Sequence, residues 1–283
     1  MKATLHWIFY GNIFVALCAV CMTLETYLVL DLPVTCKSNF PLLLIVFCST
    51  FFIYNIDFFA GRNNAMENII SHRLNWRIKH RAIIKIINIF VGLLIFALSF
   101  FSTYKSFLFF VHLAVISLAY YFSFEIGSAK FTPLRKIPLL KAFVISYVWA
   151  GSSVLLPALK NSISIGSSEV VQLFFERYLF LFALAIMFDI RDLSADHKNI
   201  HTIPGLVGSF KTKILSLLLL LAAGIMVLFH YKDFYLVCAF MLSFLAAAFF
   251  ICKARADSGE YYFLLLMDGA MILQFMLVMS MNR

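Results

Sequence analysis

Residues 211–253 read KTKILSLLLLLAAGIMVLFHYKDFYLVCAFMLSFLAAAFFICK. Two apolar runs, 211–231 and 234–251, are joined by the short polar link Tyr231-Lys232-Asp233. A helix rises about 1.5 Å per residue, so about 20 apolar residues cross the roughly 30 Å hydrocarbon core of a bilayer. Each run has about that length, and so short a link fits a tight helical hairpin. Working outward, the same pattern recurs along the chain. Further runs lie at 7–30, 40–59, 82–103, 106–124, 138–158, 170–190 and 260–280. Ser102-Thr103-Tyr104-Lys105 makes a second tight link. No soluble domain, long linker or clear repeat interrupts the series. The expectation is one all-α integral membrane domain over 1–283, a polytopic bundle of nine transmembrane helices.

Composition points the same way. Hydrophobic residues make up 63% of the chain and charged residues 13%, against roughly 45–50% and about 25% in soluble domains. The net charge of +9 is of a size that nucleic-acid binders also carry. Here, however, the basic residues sit in short loops between apolar runs, which is a topology signal, so no nucleic acid partner is expected. With the N-terminus cytoplasmic, seventeen of the 23 Lys and Arg residues fall on the cytoplasmic side and five on the other, while Arg177 lies within a span. That bias sets the orientation of a multi-pass protein of the cell membrane. The first run lacks a small-residue cleavage site and reads as a retained span. Cys18, Cys21, Cys48 and Cys238 lie inside apolar runs and read as small packing residues. The CxxC spacing of the first two has no further Cys pair or His beside it.

The chemistry concentrates in 188–208, FDIRDLSADHKNIHTIPGLVG. Asp189, Asp192 and Asp196 are spaced by three and four residues, which puts them on one face of a helix. Three stacked carboxylates repel one another and need a cation to stay ionised at the end of an apolar helix. Such hard oxygen ligands suit Mg²⁺, which keeps waters and completes its shell with substrate phosphate oxygens. Asn55 and Asp57 form a second polar helix end, after the second span. Tyr121, Arg135, Lys136 and Lys141 surround the link between the fourth and fifth spans. Arg offers a bidentate fork and Lys a mobile point charge, both suited to diphosphate. Residues 62–81, with Arg62, Arg73, Trp76, Arg77 and Arg81, read as an interfacial helix anchored by Trp76, or alternatively as a lid or second diphosphate contact. Asp268, inside the last span, is expected to face the bundle interior. His112 and Glu25 read as packed polar residues.

The string 188–208 resembles the second aspartate-rich motif of the UbiA-type prenyltransferase superfamily, DxRDxxxDxxxxxxT(L/I)PxxxG. Asp189, Arg191, Asp192, Asp196, Lys198, Thr202, Ile203, Pro204 and Gly208 match it in order. The motif follows the sixth span here, as in that family, whose members have nine transmembrane helices. The family's first motif, NDxxDxxxD, is matched only at Asn55 and Asp57; with Asp57 first, the other two acid positions fall on Ala60 and Asn64. The resemblance implies a central cavity open to the cytoplasm and laterally to lipid. It implies Mg²⁺ held by Asp57, Asp189, Asp192 and Asp196, with Asp57, Asp192 and Asp196 central to catalysis. Asn55, Tyr121, Arg135, Lys136, Lys141, Arg191 and Lys198 would contact substrate. The implied reaction moves a prenyl group from a prenyl diphosphate to a lipophilic, aromatic or other electron-rich acceptor in the lipid bilayer. The alternative is a degenerate lipid-diphosphate binder or carrier that keeps the fold without turnover. An ion-coupled transporter ranks last, because the acids cluster at one interface instead of near the midplane.

The charge asymmetry fixes an expected labelling pattern. In a Cys-free background, single cysteines replacing Lys37 or Asn161 should react with an impermeant reagent applied to intact cells, whereas one replacing Lys198 should not. Labelling at 198 from outside would reverse the orientation.

Overall fold

The structure is a computed structural model that describes residues 2–33, 39–56, 59, 72–126, 129–137, 139–193, 202–255 and 257–281. Helices make up nearly all of it: α1 (Lys2–Tyr10), α2 (Ile13–Val29), α3 (Phe40–Tyr54), α4 (His72–Lys79), α5 (Arg81–Ser99), α6 (Tyr104–Tyr121), α7 (Leu140–Ala150), α8 (Leu156–Lys160), α9 (Ser168–Asp192), α10 (Ile203–Val207), α11 (Ser209–His230), α12 (Phe234–Lys253) and α13 (Gly269–Met281). The all-α expectation is modified at one place. The link after α6 folds back as two three-residue antiparallel strands, β1 (Phe124–Ile126) and β2 (Ala129–Phe131).

Each of the apolar runs contains helix among the described residues, but nine spans are not established. Among the described residues, seven helices are long and apolar enough to cross a membrane. An eighth is made by α1 and α2 if they count as one span, and α3 is shorter at 15 residues. The first run is not a straight helix. It bends by 60° between Tyr10 and Ile13, because Asn12 takes a left-handed conformation (φ 66°) and the i→i−4 ladder stops there. Gly11 permits the turn, since a Cβ there would overlap the Trp7 carbonyl oxygen. Two other helices contain wide π segments. Gly151–Leu155 joins α7 to α8 as one run of 21 residues, and Tyr262–Met267 leads into α13.

The core is the contact of α9 with α11 and α7, closed by α2, α12 and α13. Phe180, Met187, Phe240 and Phe263 are fully buried within it. Small residues let the helices approach: Ala183, Ala223, Ala239, Ala247 and Ala270 are all buried in this core, as expected where helices pack in lipid without a hydrophobic drive between them. At the edge, α5 rests on α3. Of its nineteen residues only Ile84 and Asn88 are buried, and the Asn88 amide donates to the Phe52 carbonyl at 3.2 Å.

The bend in the first run is held by polar side chains. Asn12 Nδ2 donates to the Tyr54 carbonyl (3.0 Å) and to Asn55 Oδ1 (2.9 Å). Asn55 Nδ2 donates to the carbonyls of Gly11 (3.2 Å) and Phe51 (3.0 Å). From α4, Arg73 Nη2 donates to Asn12 Oδ1 (2.8 Å), and Arg77 Nη2 donates to the Tyr54 carbonyl (3.1 Å) and Asn55 Oδ1 (3.2 Å). The open carbonyls at the C-terminus of α3 and at the break in the first run therefore find partners, as any buried helix end requires. Asn55, expected as a substrate contact, is completely buried and both ends of its amide are engaged. Asn55→Ala should therefore destabilise the protein by roughly 1–3 kcal/mol per stranded group, visible as a lower Tm in detergent. A residue that only touches substrate would leave Tm unchanged and alter KM.

Candidate functional site

The last turn of α9 presents Asp189 and Asp192. Both acids sit at a helix C-terminus, where the macrodipole disfavours negative charge. Lys141 sits in the first turn of α7, where it disfavours positive charge. Neither placement serves its own helix, and the two are joined across the bundle. Lys141 Nζ lies 2.6 Å from Asp189 Oδ1 and 3.5 Å from Asp192 Oδ2. Arg191 Nε donates to Asp192 Oδ1 at 2.7 Å, and its guanidinium lies over the rings of Phe188 (5.0 Å) and Phe263 (5.9 Å). Asp189 is 2% exposed. The cation that the stacked carboxylates demand is thus supplied, in this state, by the chain itself. α7 is launched by Leu139 in a left-handed conformation (φ 64°), which costs a non-glycine residue of order 1–3 kcal/mol and directs the turn that carries Lys141.

Asp57, Asp196 and Lys198 lie outside the described residues, as does the side chain of Lys136. Among the described residues, no three His, Cys, Asp or Glu side chains assemble as a metal site. The two acids that are described nevertheless fit Mg²⁺. They are hard oxygen donors one helical turn apart, and the charge now between them is a flexible ammonium that a divalent ion can replace.

Asp268, expected only to face the bundle interior, and Arg73, offered as an alternative second diphosphate contact, lie near this group. Asp268 is 7% exposed where the π segment ends, and the charges of Arg191 and Arg73 act on its carboxyl. Arg73, on α4, reaches in from the interface. Burial, with the charges of Arg77 and Arg191, lowers its guanidinium to about 10, opposed by Glu260 and Asp268. Arg73 therefore stays charged at neutral pH. The signal was present in the sequence, because Arg73 and Arg77 are four residues apart and share one face of a short helix. Tyr121 carries the Arg135 guanidinium over its ring at 5.7 Å and lies within electrostatic range of Tyr54. Arg135 and Tyr121, some 14 residues apart in sequence, are thus brought together.

Below this polar end lies an apolar cavity of about 260 Å³ between α3, α5, α6 and α7. Ile45, Phe52, Gly92, Phe110 and Ala114 line it, with Tyr54 and Trp149 among its aromatic walls. The last two rings meet edge-to-face at 6.3 Å.

No family profile matches the sequence, and no curated protein matches it either. A solved structure does. The membrane enzyme digeranylgeranylglyceryl phosphate synthase superposes over 97% of this chain and 98% of its own, with a TM-score of 0.59 and 14% sequence identity. At that identity the likeness is one of fold: the chain folds as that synthase does. Within that fold, Asp189, Arg191, Asp192 and Lys141 form one polar group and Tyr121–Arg135 a second pair. Asn55 belongs to the helix-end knot described above.

The Lys141–Asp189 contact has a measurable consequence. Lys141→Met leaves the buried Asp189 without its nearest counter-charge and should lower Tm, whereas Lys141→Met with Asp189→Asn should recover most of the loss. A coupling energy of roughly 0.5–3 kcal/mol is expected from the double-mutant cycle. Additive effects would mean that the pair is not formed.

Proposed function

We propose that this chain is a Mg²⁺-dependent membrane prenyltransferase with nine transmembrane spans and a cytoplasmic N-terminus in the cell membrane. It transfers a prenyl group from a prenyl diphosphate to an aromatic or other electron-rich acceptor. The observation that carries this reading is the paired Asp189 and Asp192, gathered with Lys141 and Arg191 at one end of a UbiA-type bundle. Asp189 and Asp192, with Asp196 and Asp57, would hold the ion, which supplies charge neutralisation for the diphosphate leaving group. Lys141 and Arg191 are placed to shift from carboxylate to phosphate oxygens, and Arg135, Lys136 and Lys198 add positive charge around the leaving group. Electrostatic stabilisation of departing diphosphate is the main lever such a site has. The prenyl chain would occupy the apolar cavity, where the faces of Tyr54 and Trp149 can attract a developing allylic cation and exclude water from it. The departing diphosphate carries away the electron pair of the broken C–O bond; the acceptor supplies the pair for the new bond and releases its proton to the departing diphosphate or to solvent.

A second reading, a lipid-diphosphate binder without turnover, is favoured by one feature of the sequence. The first motif supplies Asp57 where the family pattern has three acids. Diphosphate release in the presence of prenyl diphosphate and acceptor separates the two. Under the enzymatic reading, Asp192→Asn and Asp196→Asn should each lower turnover by roughly two orders of magnitude or more with little change in expression. Asp57→Ala should abolish metal-dependent diphosphate binding, and wild-type turnover should vanish with excess chelator. Full turnover in chelator would remove Mg²⁺ from the mechanism.

A further inference from the structure

Deep in the bundle, away from the site just described, lies a second polar cluster. Arg177 precedes Asp189 by twelve residues on α9, so it lies about 18 Å further along the helix axis. Arg177, Glu176, Glu25 and Gln274 are all completely buried. Arg177 Nη2 donates to Glu25 Oε1 at 2.7 Å, and Nη1 donates to the Met22 carbonyl at 2.7 Å and Ser153 Oγ at 3.4 Å. Gln274 Nε2 donates to Glu176 Oε1 at 3.2 Å. These contacts tie α2, α9, α13 and the π segment Gly151–Leu155 together.

The charges do not balance. The groups that face one another are Glu25 and Cys21 on α2, Glu176 and Arg177 on α9, and Tyr231 after α11. Gln274 and Ser153 are neutral. With both carboxylates ionised, one completely buried guanidinium faces two negative charges, and a net buried charge is a costly arrangement in a membrane interior. The hydrogen bonds show which acid is the odd one out. Glu25 has the direct ion pair. Among the described residues, Glu176 Oε1 accepts only from a neutral amide and Glu176 Oε2 finds no hydrogen-bond partner; Glu25 Oε2, Arg177 Nε, Gln274 Oε1 and the Tyr231 hydroxyl are likewise unpartnered.

We propose that this cluster is a built proton site: the folded bundle binds one proton on Glu176, and the neutral set Glu25–Arg177–Glu176–Gln274 clamps α2, α9 and α13 in mid-bundle. The proton comes from solvent as the helices assemble, leaving Glu176 a neutral acid whose O–H can serve the neighbouring acceptors. Nothing in the proposed transfer reaction uses these residues, so the site stands or falls independently of it.

The test uses the full chain in detergent or lipid discs. Infrared spectra of protein labelled with carbon-13 glutamate should show a neutral-carboxyl band at pH 7, where an exposed glutamate (pKa about 4.3) is ionised. The band should be lost in Glu176→Gln. That variant, which mimics the protonated acid, should be at least as stable as wild type at neutral pH. It should also lose part of the alkaline decline. As pH rises above the ordinary glutamate range, the unfolded wild-type chain sheds a proton that the folded state retains, so stability falls; a glutamine has none to shed. Glu25→Gln with Glu176→Gln strands Arg177 and should lower Tm by roughly 10 °C or more. If Glu176→Gln does not fold, the isotope-edited band in the wild type decides the matter. Fully ionised glutamates at pH 7, an unchanged alkaline decline in Glu176→Gln, or a double variant as stable as wild type would each overturn the proposal.

Discussion

A charge inside a helical membrane bundle has no water to fall back on, and nearly every polar contact in this protein follows from that constraint. Each carbonyl freed by a break must meet a donor, and each guanidinium or carboxylate must meet its opposite. The break at Gly11 and Asn12 is tolerable because Asn12, Asn55, Arg73 and Arg77 close over it. Arg177 is tolerable in the middle of α9 because Glu25 and the Met22 carbonyl receive it. Asp189 is tolerable at a helix C-terminus because Lys141 comes from another helix to meet it. Remove these pairings and the helices have little reason to keep their present neighbours, since lipid tails are as apolar as leucine.

The same constraint explains how much was legible beforehand. Hydropathy found the long apolar helices, because runs of about 20 apolar residues have few alternatives. It missed the 60° bend in the first of them, because that depends on Asn12 finding Tyr54 and Asn55, more than forty residues away. It placed the end of the fourth span at 124, whereas α6 stops at Tyr121 and the chain turns into β1; apolar content does not distinguish a helix end from a short strand. At the site, the spacing of Asp189 and Asp192 located the acids correctly on one helical turn. The partner was harder, because Lys141 lies 48 residues earlier in sequence and looked like one of several loop cations. Glu176 and Gln274 gave no periodic signal, since single polar residues in apolar runs reveal a partner only when the helices are packed.

The polar end of the bundle differs from the mid-bundle cluster in one respect that bears on function. Around Arg177 the groups are completely buried and their geometry is fixed. Around Asp192, the side chains of Lys141, Arg191 and Asp192 keep between 24% and 28% exposure. One cluster is a clamp. The other is open to solvent, which is the contrast expected between a group that stabilises a fold and one that could exchange partners.

The π segment before Asp268 has an implication for how this bundle tolerates change in length. A π turn is an α-helix that has absorbed an extra residue, and here the Asp268 amide bonds back to the Phe263 carbonyl. One residue of α-helix corresponds to about 100° of rotation. Deleting a single residue between Tyr262 and Met267 would let the helix relax to ordinary α geometry without a gap. Because the wide turn already absorbs the extra residue, Asp268 would keep nearly its present orientation, whereas the same deletion in a plain α-helical stretch would turn it by about 100°. The segment is thus a place where the bundle can lose a residue without turning Asp268 away from Arg191.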